Sequence, residues 1–161
     1  MIKDRRTRLH LFLTILIMIF IFVQSALPAD LSQQESNFIV RYLAQQLHMD
    51  EELLSFIVRK CAHFTEYMIL GISVKVTADD LLRQSRRADI QSRTAGILCP
   101  WCIGALYAVS DEIHQSFVPG RSCELRDMII DSCGVLTGVL IIWNVNRTRA
   151  SDDQKTAGQE N

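Results

Sequence analysis

Two short stretches of this sequence concentrate side chains that can hold a proton, a metal ion or an anion. The longer one, Ser110–Asp131, combines carboxylates, a histidine and two arginines. The shorter one, Arg59–Tyr67, has the sequence RKCAHFTEY. Apolar runs suited to a lipid bilayer lie next to both. Because charge is costly at a membrane boundary unless it is paired, hydrated or functional, these stretches are the first candidates for a site.

Helical spacing predicts that these side chains share faces. Residues three and four apart on an α-helix lie on one side. The predicted stripes are Arg59, His63 and Glu66; Tyr107, Asp111, His114 and Gln115; and Asp127, Asp131, Gly134 and Gly138. We expect three helices to bring His63, Glu66, Asp111, His114, Asp127 and Asp131 toward one interior point, with Arg59, Lys60 and Arg121 at its rim.

Such a set is suited to three kinds of chemistry. Imidazoles and carboxylates can bind a divalent metal, although the spacing matches no closed zinc pattern such as HExxH. A histidine–carboxylate pair can perform acid/base catalysis, for which the candidates are His63, Glu66, Asp111 and His114. Basic groups can grip an anion. The ligand-binding candidates are Arg59, Lys60, Tyr67, Glu112, Gln115, Arg121, Asp127 and Asp131. The alternative is that these charges only neutralise one another between helices.

The elements that must position these residues are membrane helices. With 161 residues, one domain is expected. Apolar runs predict four spans, at about 9–27, 57–76, 94–113 and 127–145. They follow a basic N-terminus, 1–8, and precede a polar tail, 146–161, that we expect to be disordered. A signal peptide is the alternative for the first run, but its apolar core is long and lacks a clean cleavage site.

Local signals refine this picture. Residues 29–56 predict a short amphipathic helix outside the membrane, with Phe38, Ile39, Tyr42, Leu43 and Leu47 on its apolar face. An ordinary loop helix is the alternative for this segment. Asp50 is placed to cap the next helix, and Val118–Arg121 has the proline and glycine order of a type II turn. Gly134 and Gly138 permit close helix contact. The predicted fold is therefore an all-α integral membrane four-helix bundle with a short extracytoplasmic amphipathic helix.

Lysine and arginine cluster before the first span, between the second and third, and after the fourth. The positive-inside rule places these segments and both termini in the cytoplasm. Both ionisable stretches then lie at the extracytoplasmic end. The five cysteines suggest no disulfide framework. The Cys99–Cys102 pair has redox spacing, but it lies in an apolar run, which favours two packed thiols.

The two stretches resemble the VanZ-like family of bacterial membrane proteins. The resemblance rests on RKCAHFTEYMILG (59–71), YAVSDEIHQSFVPGR (107–121) and RDMIIDSCGVLTG (126–138). It implies a four-helix integral membrane protein of the bacterial cytoplasmic membrane. The family's namesake accompanies glycopeptide-resistance clusters and gives low-level teicoplanin resistance. No biochemical activity is implied for any single residue.

Three functions remain open at this stage. The first is a cell-envelope protein whose outward-facing polar pocket binds an anionic component, either a lipid-linked cell-wall precursor or the glycopeptide itself. The second is a membrane-embedded hydrolase or transferase acting on a phosphate- or acyl-bearing lipid, with or without a divalent metal. The third is a transporter or scaffold in which the charges only lock the helices together. We expect the lipid bilayer, and no nucleic acid, as a partner.

Overall fold

Four long helices form most of the protein in the computed structural model, which describes residues 4–28, 40, 42–46, 48–84 and 93–159. They are α1 (Arg5–Ser25), α2 (Glu51–Gln84), α3 (Arg93–Gln115) and α4 (Leu125–Gln159). No strand occurs in these ranges. The predicted all-α class is therefore confirmed.

The ends of the helices follow from local chemistry. The Asp50 side chain accepts hydrogen bonds from the backbone N–H of Glu52 at 2.9 Å and of Leu53 at 3.1 Å, which confirms the predicted cap of α2. Between α3 and α4, Gly120 has φ 76° and the Arg121 N–H donates to the Val118 carbonyl at 3.1 Å. These features agree with the predicted type II turn, which needs a positive φ at its third residue.

Two helices are longer than the sequence analysis expected. α2 continues past residue 76 to Gln84, and Lys75, expected in a polar connection, is buried inside it and donates to Asp79 at 2.5 Å. α4 continues through Gln159, so residues 147–159 are helical where disorder was expected. Neither extension contains proline, and the Lys75–Asp79 pair is one helical turn apart, so nothing in these segments ends the helix.

The predicted amphipathic helix falls partly outside the described residues, which omit 29–39, 41 and 47. Residue 40 and residues 42–46 are helical. Val40 and Ala44 pack with Leu54 of α2, and Leu43 lies against this cluster. Leu43 was expected on the apolar face and does pack there, whereas Tyr42, expected on the same face, is 61% exposed.

Glycines allow α2 and α4 to approach until their backbones touch. A Cβ atom on Gly134 would lie 2.5 Å from the Phe64 carbonyl oxygen, and one on Gly138 would overlap the Met68 carbonyl oxygen. The small-xxx-small pair thus lies at the α2–α4 contact, which is the most extensive in the protein. Lys60 meets Asp127 and Asn146 meets Asp79, so these two helices run in the same direction.

α1 is attached differently. The residues it buries are Thr7, Thr14, Ile21 and Ser25, a narrow stripe in which three of the four carry hydroxyls. Most of its large apolar side chains are exposed. α1 runs antiparallel to α2, since His10 near its start meets Asp80 near the end of α2.

Two helices are long and apolar enough to cross a membrane: α1 and residues 125–152 of α4. α2 and α3 do not meet this test within the described residues. Both carry charged side chains within their length, which lowers the apolar character of any long window. By length and composition, two helices are therefore candidates to span a membrane, and the four-span arrangement is a proposal.

The glycine contact generates a prediction. Substitution Gly138→Ala should destabilise the protein by about 1–3 kcal/mol, because the added methyl group meets backbone, which cannot move aside as a side chain can. The measurement is thermal unfolding of purified protein in detergent. Cys133→Leu, which adds bulk at an exposed position of the same helix, is the control and should leave stability unchanged. Equal stability of the Gly138→Ala variant and the wild type would contradict the proposed contact.

Candidate functional site

A polar cavity of about 500 Å³ opens at the end of the bundle where α1 finishes and α4 begins. Of the residues singled out from the sequence, those that line it are Arg59, Lys60, His63, Glu66, Asp111, Gln115, Arg121 and Asp127. Three helices and the α3–α4 turn therefore bring most of the two ionisable stretches to one place.

Asp111 holds the floor of the cavity together. Its Oδ1 accepts a hydrogen bond from Ser25 Oγ at 2.5 Å, and its Oδ2 accepts from Tyr67 OH at 3.0 Å and from Gln115 Nε2 at 3.3 Å. These donors come from α1, α2 and α3. The Asp111 side chain is 2% exposed, so a buried carboxylate is satisfied entirely by protein donors. Ser25 was missed as a site residue, although a lone hydroxyl at the end of an apolar helix was the available signal.

Arg121 attaches the turn to the end of α1. Its Nε donates to the Leu27 carbonyl at 2.9 Å and its Nη2 to the Gln24 carbonyl at 3.3 Å. Burial lowers the pKa of Arg121, but a guanidinium stays charged at any physiological pH. These partners are backbone carbonyls and not carboxylates, so the positive charge is oriented without being neutralised by a hydrogen-bonded anion.

The other cations in the wall differ in their pairing. Lys60 contacts Asp127 at 2.5 Å, and Arg126 contacts Glu124 at 2.7 Å. The Arg126 hydrogen bond lowers the pKa of Glu124, which keeps that carboxylate ionised. Arg59 forms no hydrogen bond or ion pair with any residue in the described part of the chain.

Two carboxyl groups behind the cavity wall are incompletely satisfied. Asp131 is 0% exposed, and neither of its oxygens has a hydrogen-bond partner among the described residues. Its Oδ1 lies 3.9 Å from His63 Nδ1, which is too far for a hydrogen bond. Glu112 is also 0% exposed; its Oε2 accepts from the Glu124 N–H at 3.1 Å, and its Oε1 has no such partner. Buried polar atoms without partners cost stability.

The remaining candidates lie elsewhere. His114 stacks on Phe22 of α1, with ring centroids 4.2 Å apart, and does not line the cavity. His114 follows Asp111 by three residues, a rotation of roughly 300° about the helix axis. The two side chains therefore point roughly 60° apart, and His114 lies against α1 outside the cavity. Tyr67 is fully buried behind Asp111. The expected convergence thus holds for His63, Glu66, Asp111 and Asp127 but does not include His114.

The geometry does not assemble a metal centre from the described residues. No three His, Cys, Asp or Glu side chains among them are placed to share one ion. The cavity instead combines cations, carboxylates and hydroxyls, a set suited to binding a polar, charged group.

A second polar cluster, at the opposite end of the bundle, was missed by the sequence analysis. His10 Nδ1 lies 2.7 Å from Asp80 Oδ2, and Thr14 Oγ1 lies 2.7 Å from Ser73 Oγ and 2.9 Å from Thr77 Oγ1. The spacing of Ser73, Thr77 and Asp80 on one face of α2 could have revealed it. These contacts join the start of α1 to the end of α2.

The buried carboxyl groups generate a prediction with different outcomes at two positions of one helix. Asp131→Asn should not destabilise the protein, since it removes a potential charge that no described donor satisfies. Asp127→Asn should destabilise it, because Lys60 loses its partner. Thermal unfolding at fixed pH measures both. A loss of stability in the Asp131→Asn variant would show that Asp131 has a partner that the described contacts do not include.

Comparison with known proteins gives one match. The family model VanZ/LLP1 matches residues 10–146, which include all four long helices apart from the start of α1 and the end of α4. No curated protein and no solved structure matches the chain.

Proposed function

The chain belongs to the VanZ/LLP1 family, and on that premise we propose that its polar cavity binds an anionic component of the cell envelope. Family membership and two apolar helices make it a cell-envelope membrane protein of a family linked to glycopeptide resistance. The proposal adds a location for binding, a chemical class of ligand and an orientation.

The proposed topology has four spans in the bacterial cytoplasmic membrane, with both termini in the cytoplasm. The distribution of basic residues supports this orientation, since they concentrate at 3–8, 83–93 and 147–149. The cavity then opens at the extracytoplasmic end. The antiparallel course of α1 and α2 and the shared direction of α2 and α4 agree with an alternating up-and-down path.

The observation that carries the proposal is the state of two guanidinium groups in the cavity wall. Arg59 has no hydrogen bond or ion pair within the described residues, and Arg121 is held only by backbone carbonyls. Lys60 and Arg126, by contrast, each contact a carboxylate. Two guanidiniums that share no hydrogen bond or ion pair with a carboxylate among the described residues can receive a group that offers several anionic oxygens.

A phosphate group fits this arrangement, because guanidinium groups form charge-assisted hydrogen bonds with anionic oxygens and a phosphate offers several of them. On the outer face of a bacterial membrane, a lipid-linked cell-wall precursor presents such a group. The glycopeptide itself is the other proposed ligand. Glu66 would accept hydrogen bonds from the hydroxyl and amide groups that accompany the phosphate.

Arginine substitutions test this proposal. We expect Arg59→Gln to weaken the binding of pyrophosphate by about tenfold or more, because a charge-assisted contact is lost while the side chain stays polar. The measurement is calorimetric titration of the protein in lipid nanodiscs. Parallel titration with teicoplanin tests the glycopeptide as ligand.

Arg147→Gln is the matched control. Arg147 lies over the Trp143 ring at the other end of α4, 5.6 Å from its centroid, and makes no contact with the cavity. Its substitution should leave affinity unchanged. Equal loss in both variants would indicate a nonspecific effect of charge, and no loss in either would refute the proposed site.

A membrane-embedded hydrolase or transferase is the second candidate, and His63 favours it. His63 lines the cavity, and its Nδ1 faces Asp131 Oδ1 at 3.9 Å, an approach that could tighten when a ligand binds. Product analysis of the same nanodisc samples distinguishes the two functions. Phosphate release from a lipid pyrophosphate that is lost in His63→Gln supports catalysis, whereas an intact ligand supports binding alone.

The orientation has its own test. A variant that keeps Cys123 and replaces the other four cysteines with serine should react with a membrane-impermeant maleimide in intact cells, since Cys123 is exposed beside the cavity. In a cysteine-free background, Ser151→Cys at the far end of α4 should react only after permeabilisation. The reverse pattern would place the cavity on the cytoplasmic side.

A further inference from the structure

An apolar groove lies beside the cavity, on the outside of the bundle between α2 and α4. Its volume is about 460 Å³. The groove is lined by Phe56, Ile57, Lys60, Cys61, Phe64, Thr65, Arg126 and Ile130. Apart from the two basic residues, these side chains are apolar or weakly polar, which distinguishes the groove from the charged cavity next to it.

The groove and the cavity are continuous. Phe56, Lys60 and Arg126 line both of them. At this junction Lys60 Nζ lies 5.2 Å and Arg126 Cζ lies 5.0 Å from the centre of the Phe56 ring. The Phe56 ring and the two cations over it therefore lie at the boundary between the polar cavity and the apolar groove.

In the proposed topology, the groove faces the hydrocarbon of the bilayer. Along α2 it extends from Phe56 to Thr65, roughly 13 Å at the rise of an α-helix. Its α4 side, Arg126 and Ile130, lies in the first turns of the segment that is apolar enough to cross a membrane. The groove thus starts at the end of the bundle, next to the cavity, and runs along the bundle toward the middle of the bilayer.

We infer that the ligand is an anionic lipid, with its phosphate head in the cavity and its hydrocarbon chain in the groove. This inference rests on the proposed function and narrows its ligand to an amphiphile. Two features support it: the lining residues that the groove shares with the cavity, and the apolar lining beside the segment of α4 that is apolar enough to cross a membrane. A water-soluble anion would occupy the cavity alone and leave the groove to bulk lipid.

Blocking the groove tests the inference. Thr65→Trp places a large ring in the groove, at a position outside the cavity lining. The probes are pyrophosphate and farnesyl pyrophosphate, titrated against protein in nanodiscs of phosphatidylcholine. We expect Thr65→Trp to weaken farnesyl pyrophosphate binding by about tenfold and to leave pyrophosphate binding unchanged.

Leu106→Trp is the matched control, since Leu106 is 70% exposed on α3 and lies outside the groove. The probe partitions into the bilayer to the same extent with this variant as with Thr65→Trp. We expect Leu106→Trp to leave the affinities for both probes unchanged. If Thr65→Trp behaves like this control while Arg59→Gln still weakens pyrophosphate binding, the groove inference is wrong and the proposed function stands. If Arg59→Gln affects neither probe, both fail.

A second measurement uses the wild-type protein and so does not depend on a variant that folds. A farnesyl pyrophosphate analogue with a photoreactive group on its tail should crosslink to residues 56–65 and 126–130, as mapped by mass spectrometry. Crosslinks spread evenly over the exposed faces of α1 and α3 would mean that only bulk lipid occupies the groove, and would overturn the inference.

Discussion

The buried carboxylate of Asp111 is the contact on which the polar end of the bundle depends. It accepts hydrogen bonds from α1, from α2 and from its own helix, so three elements converge on one pair of oxygens. In a low-dielectric surrounding, such a charged acceptor binds its donors strongly and would be costly to leave without them. The cavity exists because this contact fixes the ends of the helices while Arg121 ties the following turn to the end of α1.

Charged groups in the cavity wall and carboxyl groups behind it differ in how well they are paired. In the wall, Lys60 and Arg126 each pair with a carboxylate, while Arg59 and Arg121 form no ion pair with any described residue. Behind the wall, Asp131 is buried without a described donor. A protein selected for stability alone would place an apolar side chain there. Retained polar groups of this kind are more easily understood as part of a site than as part of a scaffold.

The sequence was sufficient for the helical class, the cap at Asp50, the turn at Gly120 and the glycine contact, because each depends on local chemistry or on a spacing that the helix repeat fixes. It also placed His63, Glu66, Asp111 and Asp127 near one another.

The sequence could not place His114, since the choice between two adjacent faces of α3 depends on where α1 packs. Ser25 and the residues around Asp80 gave a signal in the sequence, but their partners, Asp111 and His10, are distant in the chain and only the packing of the helices identifies them. The ends of α2 and α4 were misjudged because polar composition was taken as the end of a helix, although nothing in those segments prevents helix formation.

The unequal attachment of the helices determines which part of the protein can move. α2 and α4 touch through backbone at Gly134 and Gly138, a fit that admits no sliding or separation without opening empty space. α1 buries three hydroxyl-bearing residues and one isoleucine, and its ends are held by hydrogen bonds. Hydrogen bonds can exchange partners one at a time, whereas a close-packed seam has to open as a whole. We therefore expect α1 to separate from the bundle more readily than α2 and α4 separate from each other.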